Sequence, residues 1–280
     1  MTPRVRVVGR GRAGGSFEGA LRAAGWAVEL IAHDDVRLPD AARDVDLVLL
    51  CVPDGAIAQV AARIDAHETT VVAHCAGSRT LEELAAHPRR ASVHPLVSMP
   101  DPVRGARRLI GAWFAVAGDP LVGEVVRALR GTAVEVPDDR RVEYHAAAVI
   151  ASNHLVALMG QVERVAVGAG VPLEAFLDLS RGSLENVAEV GPAAALTGPV
   201  ARGDHETVLA HLSALDPAER LAYRALAYAA ARLVGVDEPP WPDDATGSAG
   251  GAPYAALVCN DYEIGGGSIR IHRTDLQYRL

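Results

Sequence analysis

The first 136 residues alternate between short apolar runs and segments with helical spacing. Seven apolar, largely β-branched runs occur, at 4–8, 27–32, 45–52, 69–73, 91–94, 111–117 and 132–136. Helical spacing is clearest between them at 12–24, 54–64 and 120–130. Short apolar strands that alternate with helices are typical of a parallel sheet buried on both faces. The pattern predicts one doubly wound α/β domain over residues 1–136.

The pattern changes at Pro137, after which apolar residues recur with helical spacing alone. A long run rich in Ala, Val and Leu covers 140–168, and shorter helical runs follow at 172–190, 192–201, 204–215 and 217–234. Polar residues are so sparse in the long run that its helix must be buried on most sides. We expect an all-helical domain over 137–236. Packing against a second subunit in a homodimer and burial within one chain both satisfy the pattern.

The first predicted strand leads into a glycine-rich turn, Gly9-x-Gly11-x-x-Gly14, and a helix follows. In dinucleotide-binding proteins the first glycine allows a tight turn, the second lets the backbone approach a pyrophosphate, and the third lets helix and strand pack closely. The helix N-terminus then holds the anion. The setting predicts NAD or NADP binding at Gly9, Gly11, Arg12, Ala13 and Gly14. A glycine-rich turn that binds nothing is the alternative.

The residues leave the choice between NAD and NADP open. Asp34 follows the second strand about 20 residues past the glycines, where an acidic side chain usually binds the ribose hydroxyls of NAD. Arg10, Arg12 and Arg37 are candidates to pair instead with the 2′-phosphate of NADP. A solvated loop acid is the alternative reading of Asp34.

Composition narrows the partners and the chemistry. The 280-residue chain has a formal net charge of −8, which argues against a nucleic-acid partner, and no run approaches the roughly 20 apolar residues of a membrane span. Cys51, Cys75 and Cys259 lack disulfide or metal-ligand spacing, so we expect no metal and a reducing cytoplasm. The sequence contains no lysine, so a proton donor near neutral pH must be His, Tyr, Cys or a shifted carboxyl.

Polar loops follow the fourth and fifth predicted strands, where ligands of open α/β sheets bind. The first loop contains His74 and Ser78, which we place beside the nicotinamide half of a dinucleotide. The second contains His94 and Ser98, which we expect to line a substrate pocket. A strand-terminating role is the alternative for His94.

Several sequence blocks in a fixed order carry a resemblance to a known superfamily. They are Val52-Pro53-Asp54, His74-Cys75-Ala76-Gly77-Ser78, His94-Pro95-Leu96, Tyr144-His145-Ala146-Ala147-Ala148, Ser152-Asn153 and Leu196-Thr197-Gly198-Pro199-Val200-Ala201-Arg202-Gly203-Asp204. Over about residues 4–234 the chain resembles the superfamily of 6-phosphogluconate dehydrogenase, β-hydroxyacid dehydrogenases, ketopantoate reductase and pyrroline-5-carboxylate reductase. It is most similar to a little-characterised branch grouped with ketopantoate reductases. The resemblance implies a Rossmann domain followed by an all-α domain, with Val52 and Pro53 beside the cofactor.

The resemblance also implies roles along a helix that aligns with the catalytic helix of ketopantoate reductases. There a lysine donates a proton to the developing alkoxide, and two asparagines orient the substrate. Here His145 stands at the lysine position, Val149 replaces the first asparagine, and Asn153 matches the second. The i, i+4 spacing predicts one shared helix face. We expect His145 to donate the proton and Asn153 to orient the substrate. Hydrogen bonding within the domain is the alternative for both.

The last of these blocks contains Thr197 and Arg202, which we expect to bind the substrate, with Arg202 clamping its carboxylate through two hydrogen bonds. A helix-connecting turn with an internal ion pair between Arg202 and Asp204 is the alternative. Together, these features predict a cytoplasmic NAD(P)H-dependent reductase of a small 2-oxo acid, with ketopantoate as first candidate. Reduction of a cyclic imine such as pyrroline-5-carboxylate, or a non-catalytic dinucleotide-binding sensor or scaffold, are the alternatives.

The last 44 residues differ in character from the rest. Residues 237–253 have the Pro, Asp, Gly and Ser content of a linker. The segment 260–272 resembles part of the catalytic core of aspartyl-tRNA synthetases, within a match of about 28 residues at 253–280. No other synthetase element is present, so this resemblance implies no activity. We expect an appended tail.

Overall fold

The computed structural model describes residues 2–236 and three short strands between 257 and 271. Packing divides the chain into two compact units, one up to Val156 and the other from Ala157 onward. The compositional change at residue 137 lies within the first unit.

The first unit is built on a seven-stranded sheet. Its strands are β1 (Arg4–Val8), β2 (Ala27–Ile31), β3 (Leu47–Leu50), β4 (Val71–His74), β5 (Arg90–Pro95), β6 (Trp113–Gly118) and β7 (Thr132–Glu135). They lie in the order β2-β1-β3-β4-β5-β6-β7. Strands β1 to β5 are parallel, β6 runs antiparallel to β5, and β7 is parallel to β6. The predicted Rossmann-like α/β fold is confirmed, with strand ends within two residues of the predicted ones.

The direction in which strands are added changes at β1, since β2 lies on one side of it and β3 on the other. Ligands of doubly wound sheets bind beside such a switch point, outside the carboxyl ends of the strands. The antiparallel β6 is a departure that the strand pattern does not predict, because an apolar run contains no information about its direction. It leaves the carboxyl ends of β1 to β5 together at one edge.

Helices cover both faces of this sheet. They are α1 (Arg12–Ala23), α2 (Ile57–Ala61), α3 (Pro102–Leu109), α4 (Leu121–Ala128) and α5 (Arg141–Val149). Strand β3 shows why its sequence is uniformly apolar: Leu47 and Leu49 join the core on one face, and Val48 and Leu50 join the core on the other. The predicted helix over 54–64 is reduced to α2 behind a short 3₁₀ turn, and the Asp54 side chain makes no capping bond at its start.

Helix α3 is absent from the predicted elements, although its start signal is present. Pro102 occupies the first turn, and the Asp101 carboxylate accepts a hydrogen bond from the Arg104 backbone N–H at 2.8 Å. The helix packs closely on α1, since a Cβ at Gly105 would lie 2.0 Å from Ser16 Oγ. This packing fixes α1, whose N-terminus follows the glycine turn.

The second unit is helical, as predicted. Up to residue 236 it contains α6 (Leu155–Ala169), whose first two residues belong to the first unit, α7 (Leu173–Ala195), α8 (Gly198–Ala201), α9 (His205–Ala214) and α10 (Pro217–Leu233). The predicted break between 190 and 192 is present, because Gly191 leaves helical geometry at φ 80°. The predicted helix start at Pro217 is also present, and the Asp216 carboxylate caps it by accepting from the Ala218 N–H at 2.8 Å. No helix in the described part of the chain is both long enough and apolar enough to cross a membrane.

Beyond residue 236 the structure describes only β8 (Leu257–Cys259), β9 (Tyr262–Ile264) and β10 (Arg270–Ile271). They form an antiparallel sheet in the order β10-β9-β8. The predicted linker and most of the segment that resembles aspartyl-tRNA synthetase lie outside the described residues, so that resemblance stays a prediction.

Candidate functional site

The three glycines of the turn after β1 have three different environments. Gly9 has φ +115°, and a Cβ there would lie 2.4 Å from the Cys51 carbonyl oxygen. A Cβ at Gly14 would lie 1.8 Å from the Gly9 carbonyl oxygen, so the chain itself requires glycine at both positions. A Cβ at Gly11 would meet nothing within 4 Å. The open side at Gly11 is therefore a place where a group from outside the chain can approach the backbone.

The start of α1 suits an anion. Its N-cap is Gly11, no side chain caps it, and its first turn contains no acidic residue. The first N–H groups of a helix have no partner within the helix and carry the positive end of its dipole. The backbone of Arg12, Ala13 and Gly14 therefore fits a pyrophosphate, and Val52 and exposed Pro53 lie in the neighbouring loop after β3.

Arg37 is already paired beyond the end of β2. Its guanidinium bonds the Asp35 carboxylate at 2.8 Å and Glu29 at 2.5 Å. The hydrogen bonds from Arg37 lower the pKa of Asp35 to about 2. Both acidic partners keep this guanidinium from a further anion, so Arg37 is the least suitable of the three predicted phosphate-binding arginines.

Asp34, Arg10 and Arg12 differ from Arg37 in being exposed without such pairing. All three side chains face solvent near the carboxyl ends of β1 and β2. Within the described residues, the Arg12 side chain makes no hydrogen bond or ion pair. The structure therefore leaves both candidates for the cofactor's ribose accessible: Asp34 for the hydroxyls of NAD, and Arg10 and Arg12 for the 2′-phosphate of NADP.

Three polar side chains, those of His94, Tyr144 and His145, meet at the carboxyl ends of β4 and β5. Gly77 lies against them, and we call these four residues the His94 cluster. His94 Nδ1 lies 2.6 Å from the Tyr144 hydroxyl, with the two rings edge to face. The His94 and His145 ring centroids are 6.1 Å apart. Two of the predicted site residues, His94 and His145, are thus brought together.

Helix α5 supplies half of the His94 cluster through one face. Arg141, Tyr144, His145 and Ala148 are buried or half-buried, while Val142 on the opposite face is 72% exposed. Their i, i+3, i+4 and i+7 spacing is that of a helix face packed on a core. Because this face packs on the core, Tyr144 and His145 point toward β5, which carries His94.

Gly77 closes the cluster from the loop after β4. A Cβ on Gly77 would lie 2.6 Å from His145 Cδ2 and 3.0 Å from His94 Nε2. Any side chain here would force the two imidazoles away from their positions. The sequence indicates only that this loop is glycine-containing, since both imidazoles reach it from distant parts of the chain.

His74 has a different place from the predicted one. It is fully buried, its Nδ1 accepts from the Ala76 N–H at 3.3 Å, and its Nε2 donates to the Thr80 carbonyl at 3.2 Å. Burial lowers its pKa, so it is a neutral imidazole with both nitrogens bonded. His74 shapes the loop that carries Gly77 and has no exposed surface with which to contact a cofactor.

A buried arginine, which the sequence reading missed, lies beneath the His94 cluster. Arg141 is 0% exposed, donates to Ser92 Oγ and pairs with Asp138 at 3.4 Å. Asp138 also accepts from the Leu81 N–H at 3.0 Å. These contacts join the start of α5 to β5 and to the loop after β4. The Asp138–Arg141 spacing of three residues is the only local signal for the pair.

The environment keeps the central pair uncharged at neutral pH. Burial, then the positive charges of His145 and Arg141, lowers the pKa of His94 to about 4. Burial raises the pKa of the Tyr144 phenol to about 12. A neutral imidazole and a neutral phenol therefore share the 2.6 Å hydrogen bond.

The low pKa of His94 predicts acid sensitivity of the fold. An unfolded histidine binds a proton near pH 6.5 and folded His94 only near 4, so the unfolded state binds more protons between these values and stability falls as pH falls. We expect Tm to drop from pH 6.5 to 4, and to drop less in His94→Gln. Differential scanning fluorimetry measures this, with His33→Gln at an exposed histidine as control. Equal slopes in His94→Gln and the wild type would contradict the assignment.

Asn153 lies in a π-helical turn, Ile150–His154, between α5 and α6. A turn of this kind contains one more residue than an α-helical turn, so the predicted stacking of Asn153 over Val149 does not hold. Asn153 is exposed, and the Ser152 hydroxyl lies 2.9 Å from its Oδ1 and 2.6 Å from the Ala148 carbonyl. The shared face is limited to His145 and Val149.

Ser78 and Ser98 lie on the two predicted loops. Ser78 Oγ donates to Asp54 Oδ2 at 3.1 Å, in the loop beside Gly77. Ser98 is exposed, and its carbonyl accepts from Arg108 at 2.9 Å. Ser78 is therefore near the His94 cluster in the chain and structure, whereas the Ser98 side chain makes no contact that ties it to a site within the described residues.

Thr197 and Arg202 belong to the second unit. Thr197 precedes α8, and Arg202 is exposed at its end. Asp204 caps α9 by accepting from the Thr207 N–H at 3.1 Å and hydroxyl at 2.8 Å. Residues 197–204 thus include α8 and the turn that connects it to α9, and Asp204 caps the start of α9.

A cavity of about 390 Å³ lies at the opposite, amino-terminal edge of the sheet. Its lining includes Arg4, Asp46 and Thr69, which precede or begin β1, β3 and β4. Among the described residues, no group of three or more His, Cys, Asp or Glu is placed to hold a metal ion. The carboxyl edge, with the glycine turn and the His94 cluster, is the candidate functional site.

Comparison with known proteins agrees with this fold. Residues 114–230 match a family described as a domain of unknown function, DUF2520. No curated protein sequence matches the chain.

A structure from Bacteroides fragilis, described as that of a proposed NADP oxidoreductase, has TM-score 0.70 at 19% identity and covers 82% of this chain and 98% of its own. A Thermotoga maritima protein has TM-score 0.65 at 23% identity, with coverage of 82% and 98%. Plasmodium falciparum pyrroline carboxylate reductase with NADP bound has TM-score 0.55 at 12% identity, with coverage of 83% and 98%.

Proposed function

We propose that the protein is an NADP(H)-dependent oxidoreductase that reduces the carbonyl of a small 2-oxo acid, with ketopantoate as first candidate. The observation that carries this proposal is the placement of the open glycine turn and the His94 cluster on one edge of one sheet. Gly11 supplies a backbone open to a pyrophosphate, and His94 and His145 supply hydrogen-bonding groups at neighbouring strand ends.

The residues of the glycine turn fit the nucleotide. The N–H groups of Arg12, Ala13 and Gly14 would hold the pyrophosphate. When bound, the nicotinamide supplies the hydride for reduction of the substrate. We favour NADP(H) over NAD(H), because Arg10 and Arg12 are exposed near the strand ends. The NADP-bound Plasmodium falciparum reductase has the same fold, which supports this choice.

The chain's own groups have defined tasks in this proposal. His145, which the resemblance places at the position of a catalytic lysine, protonates the developing alkoxide, and its partner across the cluster is His94 at 6.1 Å between ring centroids. Ser78 and Ser98 offer hydroxyls from the two loops, and Asn153 offers an amide. Thr197 is assigned to the substrate, and Arg202 to its carboxylate, which a guanidinium can bind through two hydrogen bonds.

Reduction of a cyclic imine is the second candidate. The chain lacks lysine, the residue that stabilises an alkoxide in ketopantoate reductases. Imine reduction makes an amine rather than an alkoxide, so the loss of lysine matters less. Structures of pyrroline carboxylate reductases from Plasmodium falciparum and Streptococcus pyogenes share this fold, at TM-scores of 0.55 and 0.58.

The test is oxidation of NADPH by the full-length protein with ketopantoate and, separately, with pyrroline-5-carboxylate. NADH is run beside NADPH, and nucleotide binding is measured by fluorescence. Turnover of ketopantoate with NADPH preferred supports the first candidate, and turnover of the imine alone supports the second. Binding of NADPH without turnover of either substrate supports the sensor alternative. Failure to bind either nucleotide overturns the proposal.

The second unit predicts a homodimer. No side chain of helix α7 is fully buried within the described part of the chain, and Val167, Leu179 and Val190 on α6 and α7 are 73%, 66% and 57% exposed. Exposed apolar surface of this extent is typical of a subunit interface. We expect light scattering to give twice the 29.3 kDa chain mass.

The matched variants place a charge on two exposed apolar residues. Leu179→Glu is expected to raise the dimer dissociation constant at least about 100-fold, since a charge buried in an apolar interface is costly. Val103→Glu, on α3 of the first unit at 65% exposure, is the control and should leave the dimer intact. A monomeric wild type, or an unaffected Leu179→Glu dimer, would contradict this prediction.

A further inference from the structure

We propose that His94 donates a hydrogen bond from Nε2 to the reacting oxygen or nitrogen of the substrate, and that Tyr144 is the positioning residue that holds His94 in the Nε2–H tautomer. The donor role rests on the proposed reductase function. The tautomer rests only on the arrangement of the first unit.

The contact between Tyr144 and His94 fixes one ring nitrogen. The Tyr144 hydroxyl and His94 Nδ1 are 2.6 Å apart, and the rings meet at 87°. Either group has a hydrogen to donate, since a phenol donates and accepts and a neutral imidazole carries one N–H. The direction of this one hydrogen bond therefore decides which nitrogen of His94 carries the proton.

Arg141 determines that direction. It lies one helical turn before Tyr144, is fully buried, and its Nη1 has no hydrogen-bond partner among the described residues. Its positive charge acts on the Tyr144 phenol. A cation favours the arrangement in which the phenol oxygen's lone pairs face it and the hydrogen points away. The hydroxyl therefore donates to His94 Nδ1, and the imidazole hydrogen is on Nε2.

The Nε2 side of His94 is the side open to a ligand. Within the described residues Nε2 has no hydrogen-bond partner, and the Cβ position of Gly77 lies 3.0 Å from it. His145 reaches the same point, with Cδ2 at 2.6 Å from that position. His94 is only half-buried, and its Nε2 is not among the fully buried polar atoms that lack a partner, so an N–H at this position is accessible to an acceptor from outside the chain. A substrate oxygen or imine nitrogen beside Gly77 is such an acceptor.

The surrounding charges keep His94 a neutral donor. His145 and Arg141 act on it from α5, His74 acts from β4, and Asp54 acts from the loop after β3. Burial, with the positive charge of Arg141, outweighs the single carboxylate of Asp54, so the imidazole stays neutral and keeps one N–H. His94 thus polarises the acceptor through a hydrogen bond and transfers no proton, which leaves protonation to His145.

The tautomer is measured directly on full-length protein labelled with ¹⁵N-histidine. Two-dimensional ¹H–¹⁵N spectra that join ring nitrogens to carbon-bound ring protons should show His94 with Nδ1 unprotonated and Nε2 protonated at pH 7. Tyr144→Phe keeps the ring but loses the hydroxyl, and we expect His94 to shift to the Nδ1–H form or to a mixture. Nδ1–H in the wild type, or an unchanged tautomer in Tyr144→Phe, overturns the proposal.

The chain contains a matched control in a second histidine–tyrosine pair. His211 Nδ1 lies 2.7 Å from the Tyr223 hydroxyl, with rings at 88°. Tyr223→Phe removes an equivalent hydroxyl in the second unit and should leave the His94 signals unchanged. A change in the His94 signals in Tyr223→Phe equal to that in Tyr144→Phe would show a general effect of lost hydroxyls and would overturn the assignment.

Kinetics separate the donor role from the tautomer. With a turned-over substrate, Tyr144→Phe should lower kcat roughly 10-fold with little change in KM, because the donor is misplaced but the pocket is kept. An unchanged kcat together with an altered tautomer overturns the donor role. Absence of turnover in the wild type overturns the proposed function and the donor role with it, and the spectra still decide the tautomer.

Discussion

Gly11→Asp is expected to lose NADPH binding by about 100-fold or more while the protein stays folded. The added side chain enters open space, since nothing lies within 4 Å of a Cβ at Gly11. It therefore costs no packing. Its negative charge would stand where the pyrophosphate approaches, and two like charges about 4 Å apart repel by about 4 kcal/mol at an effective dielectric near 20. The nucleotide loses both the open backbone and the positive potential of the helix start.

The affinity is measured by NADPH fluorescence titration, and folding by Tm. Gly123→Asp is the control, because Gly123 on α4 is also a glycine with nothing within 4 Å of its Cβ position. It should bind NADPH as the wild type does. Wild-type affinity in Gly11→Asp would show that the glycine turn is not the nucleotide site, whereas a lowered Tm would show a folding defect instead.

Gly77→Ala is expected to lower kcat by about 100-fold with NADPH affinity nearly unchanged. One methyl group at this position would lie 2.6 Å from His145 Cδ2 and 3.0 Å from His94 Nε2, so both imidazoles must move. Displacement of a reacting group by about 1 Å costs about 100-fold in rate. The glycine turn follows β1 and Gly77 follows β4, with β3 between these two strands, so the nucleotide should still bind.

Steady-state kinetics and the NADPH dissociation constant test this together. Gly123→Ala adds the same methyl group in a helix with open space and should keep full activity, with Tm unchanged or slightly raised. Wild-type kcat in Gly77→Ala would remove the His94 cluster from the reaction. An equal loss of NADPH affinity would mean that Gly77 belongs to the nucleotide site instead.

The sequence is informative where a feature is local. Strand β1, the glycine turn and the start of α1 are contiguous, and Gly9 and Gly14 each have a steric reason that a short motif expresses. Burial of all four residues of β3, on both faces of the sheet, likewise follows from a run of four apolar residues. The Asp216–Pro217 helix start is a local signal of the same kind. These elements are correctly predicted because neighbouring residues alone determine them.

The contacts within the candidate site join residues that are far apart in the sequence. His94 and Tyr144 are 50 residues apart, and Ser92 and Arg141 are 49 apart. Helical spacing predicts that α5 has a buried face but contains no information about which strand it meets. The polar residues on that face therefore cannot be matched to their partners from the sequence. Arg141 is missed for the same reason, since a charged residue at the start of a helix usually lies in solvent.

The π turn at Ile150–His154 bears on how this chain is aligned with its relatives. Its longer hydrogen-bonded ring encloses one extra residue, which is what a single-residue insertion into an α-helix leaves behind. An alignment without a gap is therefore shifted by one position from this turn onward when the other helix is uninterrupted. The equivalences of His145 and Val149 precede the turn and are unaffected, but that of Asn153 depends on where the gap is placed.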